Sequence, residues 1–189
     1  GTLTQNKMTV VKWYMLGEEI YAGEMQHNAP VSATLLEGFL ACNDAKYSAE
    51  TGEEIGDPTE TAFVKYAKDN DLGYDSIMSC VTRFDEIPFD SDRKMMTTLN
   101  RVVKGGVTKN LSYTKGAIDS VIVRCDRILD ENGIREITNE DVLLATRCAE
   151  KMSSDALRVL ALAYREGDDS PKEENMIFVG LAAMIDPPK

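Results

Sequence analysis

VTRFDEIPF at 81–89, DSDR at 90–93 and KMMTTLNRVV at 94–103 follow one another directly in the chain. Two β-prone runs, Val81–Phe89 and Lys94–Val103, joined by a short polar stretch read as a pair of strands. Gly105-Gly106 then turns the chain into a third strand, Leu111–Thr114. Strands that follow one another through turns argue for antiparallel pairing, because a parallel pair needs a long crossover. This stretch therefore sets the expectation for the whole chain.

Downstream, Lys115-Gly116-Ala117 is expected to open a short helix through Val123. Asn132-Gly133 is the strongest hairpin-turn signal, between Arg127–Leu129 and Ile134–Ile137. Thr138-Asn139-Glu140-Asp141 can start a longer helix reaching Met152, and Leu157–Tyr164 and Met176–Ile185 read as the last strands, with a charged loop containing Pro171 between them. Upstream, Asp57-Pro58-Thr59-Glu60 has Asp at the N-cap, Pro at N1 and Glu at N3 of a helix that continues through Phe63, Tyr66 and Ala67. Leu36, Phe39 and Leu40 share one helical face within Ser32–Asn43, and Met8–Leu16 reads as a strand closed by a turn at Gly17–Glu19. The expected class is α+β, a largely antiparallel sheet with helices against it; regular βαβ alternation, internal repeats and low-complexity linkers are absent.

A chain of 189 residues with 43% hydrophobic and 28% charged residues suits one folded domain. Its net charge of −11 disfavours a nucleic-acid partner, and any phosphate site is expected to be a local basic cluster set against that field. Cys42, Cys80, Cys125 and Cys148 form no CxxC pair, and His27 is the only imidazole, so neither a zinc site nor a histidine-based nucleophile system is expected. The cysteines read as reduced thiols, and His27 as a solvated surface residue. The longest apolar run, near Met176–Ile185, is too short for a membrane span, and the opening residues do not read as a signal peptide.

Four local features could carry chemistry, and each has an ordinary reading beside the functional one. Lys115-Gly116-Ala117 at a strand-to-helix junction could hold phosphate through free N–H groups and a cation, or be a turn. Phe89 followed by Arg93-Lys94 could stack on a base and steer its phosphates, or be a core aromatic before a solvated turn. The carboxylates of Asp57-Pro58-Thr59-Glu60 could accept from an exocyclic amine, or only cap a helix. Arg158, inside an apolar strand, needs a carboxylate, a phosphate or solvent.

Their order along the chain adds a resemblance. Gly1-Thr2-Leu3-Thr4-Gln5-Asn6-Lys7-Met8-Thr9 resembles the second half of the phosphorylation motif of P-type ATPases, whose first residues are Asp-Lys-Thr, and Asp186-Pro187-Pro188-Lys189 resembles their hinge motif. Between them, in the family's order, stand Cys42-Asn43-Asp44, Gly56–Ala62, Phe89 with Asp92-Arg93-Lys94, Lys115-Gly116-Ala117 and Leu157–Ala161. The whole chain is similar to the nucleotide-binding domain of type II, calcium-pump-like members.

That resemblance implies a single domain over 1–189, with 1–7 and 186–189 as remnants of the adjoining phosphorylation domain and hinge, and with the two chain ends close together. It implies a twisted antiparallel sheet flanked by helices, and ATP as ligand, with Mg2+ in the full-length pump. Phe89 would stack on adenine, with Glu60 near its amino group and Thr59 beside it. Lys94 and Lys115 would line the pocket, Gly116 would let the nucleotide approach the backbone, Leu160 would close the apolar side, and Arg158 would reach the phosphates. Where the sarcoplasmic-reticulum calcium pumps have a phosphate-contacting arginine two residues after the aromatic, this chain has Ser91. The acceptor aspartate would precede Gly1, so the isolated, monomeric piece would bind ATP and ADP without chemistry. Its partners would be the phosphorylation, actuator and transmembrane domains of the same chain, and its place the cytoplasmic side of a membrane. The rival readings are a stand-alone adenine-nucleotide-binding regulatory module and a non-catalytic acidic interaction domain.

Overall fold

The computed structural model describes residues 7–186, so the terminal motifs lie almost wholly outside the described residues. The chain begins with β1 (Thr9–Met15) and β2 (Glu18–Tyr21), a 3-10 turn, and α1 (Pro30–Ala41). There follow β3 (Lys46–Ser48), β4 (Glu53–Ile55), α2 (Pro58–Asp69) and α3 (Tyr74–Ser79). The meander is β5 (Val81–Asp90), β6 (Met95–Lys104) and β7 (Val107–Gly116). The chain closes with α4 (Ile118–Ile122), β8 (Cys125–Asp130), β9 (Gly133–Glu136), α5 (Asn139–Ser154), β10 (Arg158–Glu166) and β11 (Met176–Ile185).

Seven strands run in the order β2-β1-β11-β10-β7-β6-β5, and β8 and β9 complete a nine-stranded sheet. The pairing is antiparallel except between β11 and β8. β11 takes β10 along one edge, while on the other β8 pairs its first residues and β1 its last; with α1 packed on one face and α5 on the other, Met176–Met184 is buried throughout. Continuous burial explains the run MIFVGLAAMI, which lacks the alternation of a half-exposed strand. Thr9 pairs with Ile185, which sets the two ends of the described chain side by side.

Each sheet face carries its own core. Trp13, Leu35, Phe39, Phe63, Met96 and Leu162 pack between the sheet and α1 and α2, where Phe39 and Phe63 stack with centroids 4.3 Å apart. Met95, Ala161, Phe178 and Leu181 face the other way, against α4 and α5. Strand alternation accounts for this division: Met95 and Met96, or Ala161 and Leu162, point to opposite faces.

Several local expectations change. Lys115 and Gly116 do not open a helix: β6 and β10 flank β7 and extend its ladder through Gly116, so α4 starts only at Ile118. β7 also starts earlier than expected, at Val107, because it pairs with β6 from Lys104 onward. At the second hairpin Asp130 pairs with Gly133, which makes Glu131-Asn132 the turn; Gly133 sits in β9 with φ 115, a conformation that favours glycine. Asp57 caps α2 by accepting from the Thr59 N–H at 2.9 Å, but Glu60 is engaged elsewhere and closes no capping box.

His27 is not a solvated surface residue. Its ring lies edge-on to Trp13, with Nδ1 2.9 Å from the Ser32 carbonyl and Nε2 2.8 Å from the Tyr66 hydroxyl. Burial lowers its pKa, which favours the neutral ring in that position.

Candidate functional site

The end of β5, the start of β6, the end of β7 and the start of β10 meet at one end of the sheet, since Asp90 pairs with Met95, Met95 with Gly116 and Gly116 with Ala161. The N-terminal turn of α2 is set against that end. Between them lies a cleft of about 500 Å³. It brings together Thr59, Glu60, Phe89, Lys94, Lys115, Gly116, Arg158 and Leu160, the eight positions singled out in the sequence. Asp44, Asp57, Met96, Ala117 and Val159 complete the lining.

Lys115 and Glu60 form its buried floor, with Lys115 Nζ 2.6 Å from Glu60 Oε2 and side chains only 9% and 12% exposed. The same oxygen accepts from the Asp44 N–H at 3.1 Å. Asp44 is held in turn by Arg83, which also donates to the carbonyls of Ala41, the last residue of α1, and of Asn43 just beyond it. The Lys115 and Asp44 bonds both go to Oε2; among the described residues nothing donates to Glu60 Oε1.

Phe89 is 63% exposed on the cleft wall. A core phenylalanine would be covered, so the structural reading of this residue fails. The ladder of β5 and β6 shifts register between Ile87 and Asp90, so Pro88 and Phe89 together oppose Met96. Such a bulge re-aims a side chain.

Lys94 follows in the left-handed region, φ 59, and its carbonyl accepts from the Ala117 N–H. A Cβ on Gly116 would collide with that carbonyl, so the close approach of the turn requires glycine here whether or not a ligand is bound.

Arg158 is exposed, and among the described residues no carboxylate pairs with it. Its strand neighbour two positions on, Leu160, turns to the same sheet face and supplies apolar wall. Asp57 is held below the usual carboxylate range chiefly by the Thr59 hydroxyl, and the fields of Lys115 and Arg158 add to this. The arginine just before Lys94 cannot replace the one missing at Ser91, because Arg93 is tied to Glu173 and to two backbone carbonyls.

The expected basic cluster is therefore corrected. Lys94, Lys115 and Arg158 face Asp44, Asp57 and Glu60, and the cleft is balanced in charge. Pairing within the floor leaves Lys94 and Arg158 as its available cations. Asp44 and Met96 were missed as lining residues: Asp44 belongs to the Cys42-Asn43-Asp44 motif and Met96 follows Lys94 by two, but only the bond from the Asp44 N–H to Glu60 and the pairing of Met96 with Lys115 set them at the cleft.

The model of a family described as P-type ATPase, cytoplasmic domain N, matches residues 32–189. A calcium-transporting ATPase of Bacillus cereus is 40% identical over 194 residues, covering 100% of this chain and 21% of that protein. One from Listeria monocytogenes is 36% identical over 197 residues, covering 100% of this chain and 22% of its own length. One from Lactococcus lactis is likewise 36% identical, with 22% of its length covered. The chain thus spans about a fifth of the length of these relatives. A family match over residues 32–189, the cleft included, with relatives aligned from end to end of the chain, shows that it belongs to the P-type ATPase cytoplasmic domain N family.

Proposed function

We propose that this domain binds ATP in the cleft and positions its γ-phosphate for transfer to an aspartate of a neighbouring phosphorylation domain, within an ATP-driven calcium transporter. The observation that carries the reading is Phe89, a largely exposed aromatic on a cleft wall whose floor is a fixed carboxylate–lysine pair. Adenine stacks on its ring, a contact worth about 1–3 kcal/mol per base. Glu60 Oε1 accepts from the exocyclic amine beside Thr59, Lys115 donates from the floor, and Leu160 and Met96 cover the apolar edge. Lys94 and Arg158, the cations least committed to protein partners, serve the phosphate tail.

Positioning is most of what phosphoryl transfer asks of a protein. Among the described residues no three His, Cys, Asp or Glu side chains converge as a metal site. In this proposal Mg2+ is carried by the triphosphate and neutralises charge at the transferring group in the full-length pump. No helix among the described residues is long and apolar enough to cross a membrane. The membrane-spanning part of the proposed transporter is assigned to the remaining four-fifths of proteins such as the relatives.

Titration of isotope-labelled protein with ATP, ADP and AMP tests the assignment. Backbone amide shifts are expected at Thr59–Glu60, Phe89, Lys94 and Lys115–Ala117, saturating at millimolar nucleotide. Absence of shifts at that concentration, or shifts centred away from the cleft, overturns it.

A further inference from the structure

Glu173 lies in the loop between β10 and β11, touches no part of the cleft, and is nonetheless tied to the turn that carries Phe89. Its side chain is 9% exposed. Oε1 accepts from Arg93 Nε at 2.8 Å, and Oε2 accepts from Thr97 Oγ1 at 2.6 Å and Arg93 Nη2 at 3.3 Å. Thr97 in β6 is bonded across the ladder to Thr114 in β7 at 2.7 Å. Thr97 shares its face with Met95, the face of α4 and α5, whereas the cleft floor at Met96 and Lys115 is on the other. The carboxylate therefore anchors Arg93 to the back of the sheet.

From that anchor Arg93 reaches both sides of the turn. Its Nη2 donates to the Pro88 carbonyl at 3.1 Å and to the Met95 carbonyl at 2.9 Å. Pro88 sits where the β5–β6 register shifts, so the regular ladder leaves this stretch unpaired. The guanidinium supplies a donor to the carbonyl of the residue directly before Phe89. The turn needs such support, because Lys94 occupies a left-handed conformation that is strained for a non-glycine residue.

We propose that Glu173 is a positioning residue for nucleotide binding: through Arg93 it holds the Pro88–Phe89 bulge in the shape that presents the aromatic ring to the base. The inference rests on the ATP-binding reading of the cleft. It adds that a residue 84 positions from Phe89, on the opposite face of the sheet, sets the affinity for the adenine end.

Glu173→Gln keeps the size of the side chain and removes its charge. Lessening the negative charge of an acidic domain favours an anionic ligand electrostatically, so a loss of affinity has the opposite sign to the field effect. Asp168→Asn is the control: it removes the same charge from the same loop, where Asp168 pairs with Arg165 and not with the turn.

AMP and ATP are titrated against the unsubstituted chain, both variants, Phe89→Ala and the double variant Glu173→Gln/Phe89→Ala. Glu173→Gln is expected to weaken AMP and ATP by the same factor, roughly fivefold or more, the scale of one lost stacking contact. Asp168→Asn is expected to change neither. In the Phe89→Ala background the second substitution should have no further effect, since the two act as one unit. Unchanged affinity in Glu173→Gln, or a loss that persists without Phe89, overturns the proposal.

If Glu173→Gln does not fold, Arg93→Lys carries the same expectations, because lysine keeps the charge and loses the fork that spans two carbonyls. Hydrogen exchange at Phe89–Met95 in the nucleotide-free chain gives a readout that needs no ligand. Faster exchange in the variant than in Asp168→Asn is expected, and equal exchange overturns the strut. If the unsubstituted chain binds no nucleotide, the ATP-binding reading fails, while this exchange measurement still decides the strut.

Discussion

Phe89 and Lys115 stand on the same cleft but answer to different forces. Phe89 is 63% exposed, so trimming it leaves no interior cavity. Phe89→Ala is expected to shift stability by no more than about 0.5 kcal/mol, as for an exposed substitution, while weakening nucleotide binding by roughly 1–3 kcal/mol. Lys115 is 7% exposed and bonded to an almost equally buried carboxylate. Lys115→Ala strands Glu60 without its partner, and breaking such a pair costs on the order of 3–5 kcal/mol of folding stability. Thermal melting and nucleotide titration of the two variants separate these cases. A large melting loss in Phe89→Ala, or an unperturbed melt in Lys115→Ala, would contradict the roles assigned. The sequence left the choice between a core and an exposed Phe89 open, because an aromatic at a strand end suits either. The bulge and cleft decide it.

Helix α5 shows how an element's ends are written locally. Thr138 caps it by accepting from the Asp141 N–H, and the Asp141 carboxylate accepts from the Thr138 N–H at 2.8 Å. Both partners lie within four residues of each other, which is why the start of this helix was legible in sequence. Arg135 from β9 adds a bidentate pair to Asp141 and, foremost with the Thr138 bonds, holds its carboxyl down to about 2. An unfolded aspartate titrates near 3.9. The folded value lies below the unfolded one, so this contribution is complete above roughly pH 4 and is lost as the pH falls toward 2. Urea midpoints measured from about pH 5 to pH 2 should fall more steeply for the parent chain than for Asp141→Asn. Parallel pH profiles would show that the pair contributes nothing to acid sensitivity. The β7–α4 junction was less legible: Lys115-Gly116-Ala117 fits a helix start locally, and only pairing on both sides of β7 keeps Lys115 and Gly116 in the strand.

Across the whole molecule, β11 lies inside the sheet and joins the cores of both faces, since Val179 and Ala182 serve one and Phe178 and Leu181 the other. Neither core can be lost without exposing the strand they share, so the domain is expected to unfold in one cooperative step. Fluorescence of Trp13, which is fully buried on the α1–α2 face, should follow the same denaturation curve as far-UV circular dichroism. Separate midpoints would mean that the two faces unfold independently. The start of β1 and the end of β11 lie side by side, since Thr9 pairs with Ile185. By itself the sequence determined the α+β class, the order of the meander, the caps at Asp57 and Thr138, and the eight positions now found around one cleft. These were legible because turn residues, capping pairs, strand periodicity and ordered motifs are properties of neighbours along the chain. Tertiary structure alone decided that Lys115 meets Glu60 across 55 positions, that the cleft is balanced in charge, that His27 is held against Trp13, and that Glu173 supports the turn of Phe89 from the far face. Ion pairing and burial depend on which distant strands and helices are brought together, and no local pattern of residue types encodes that register.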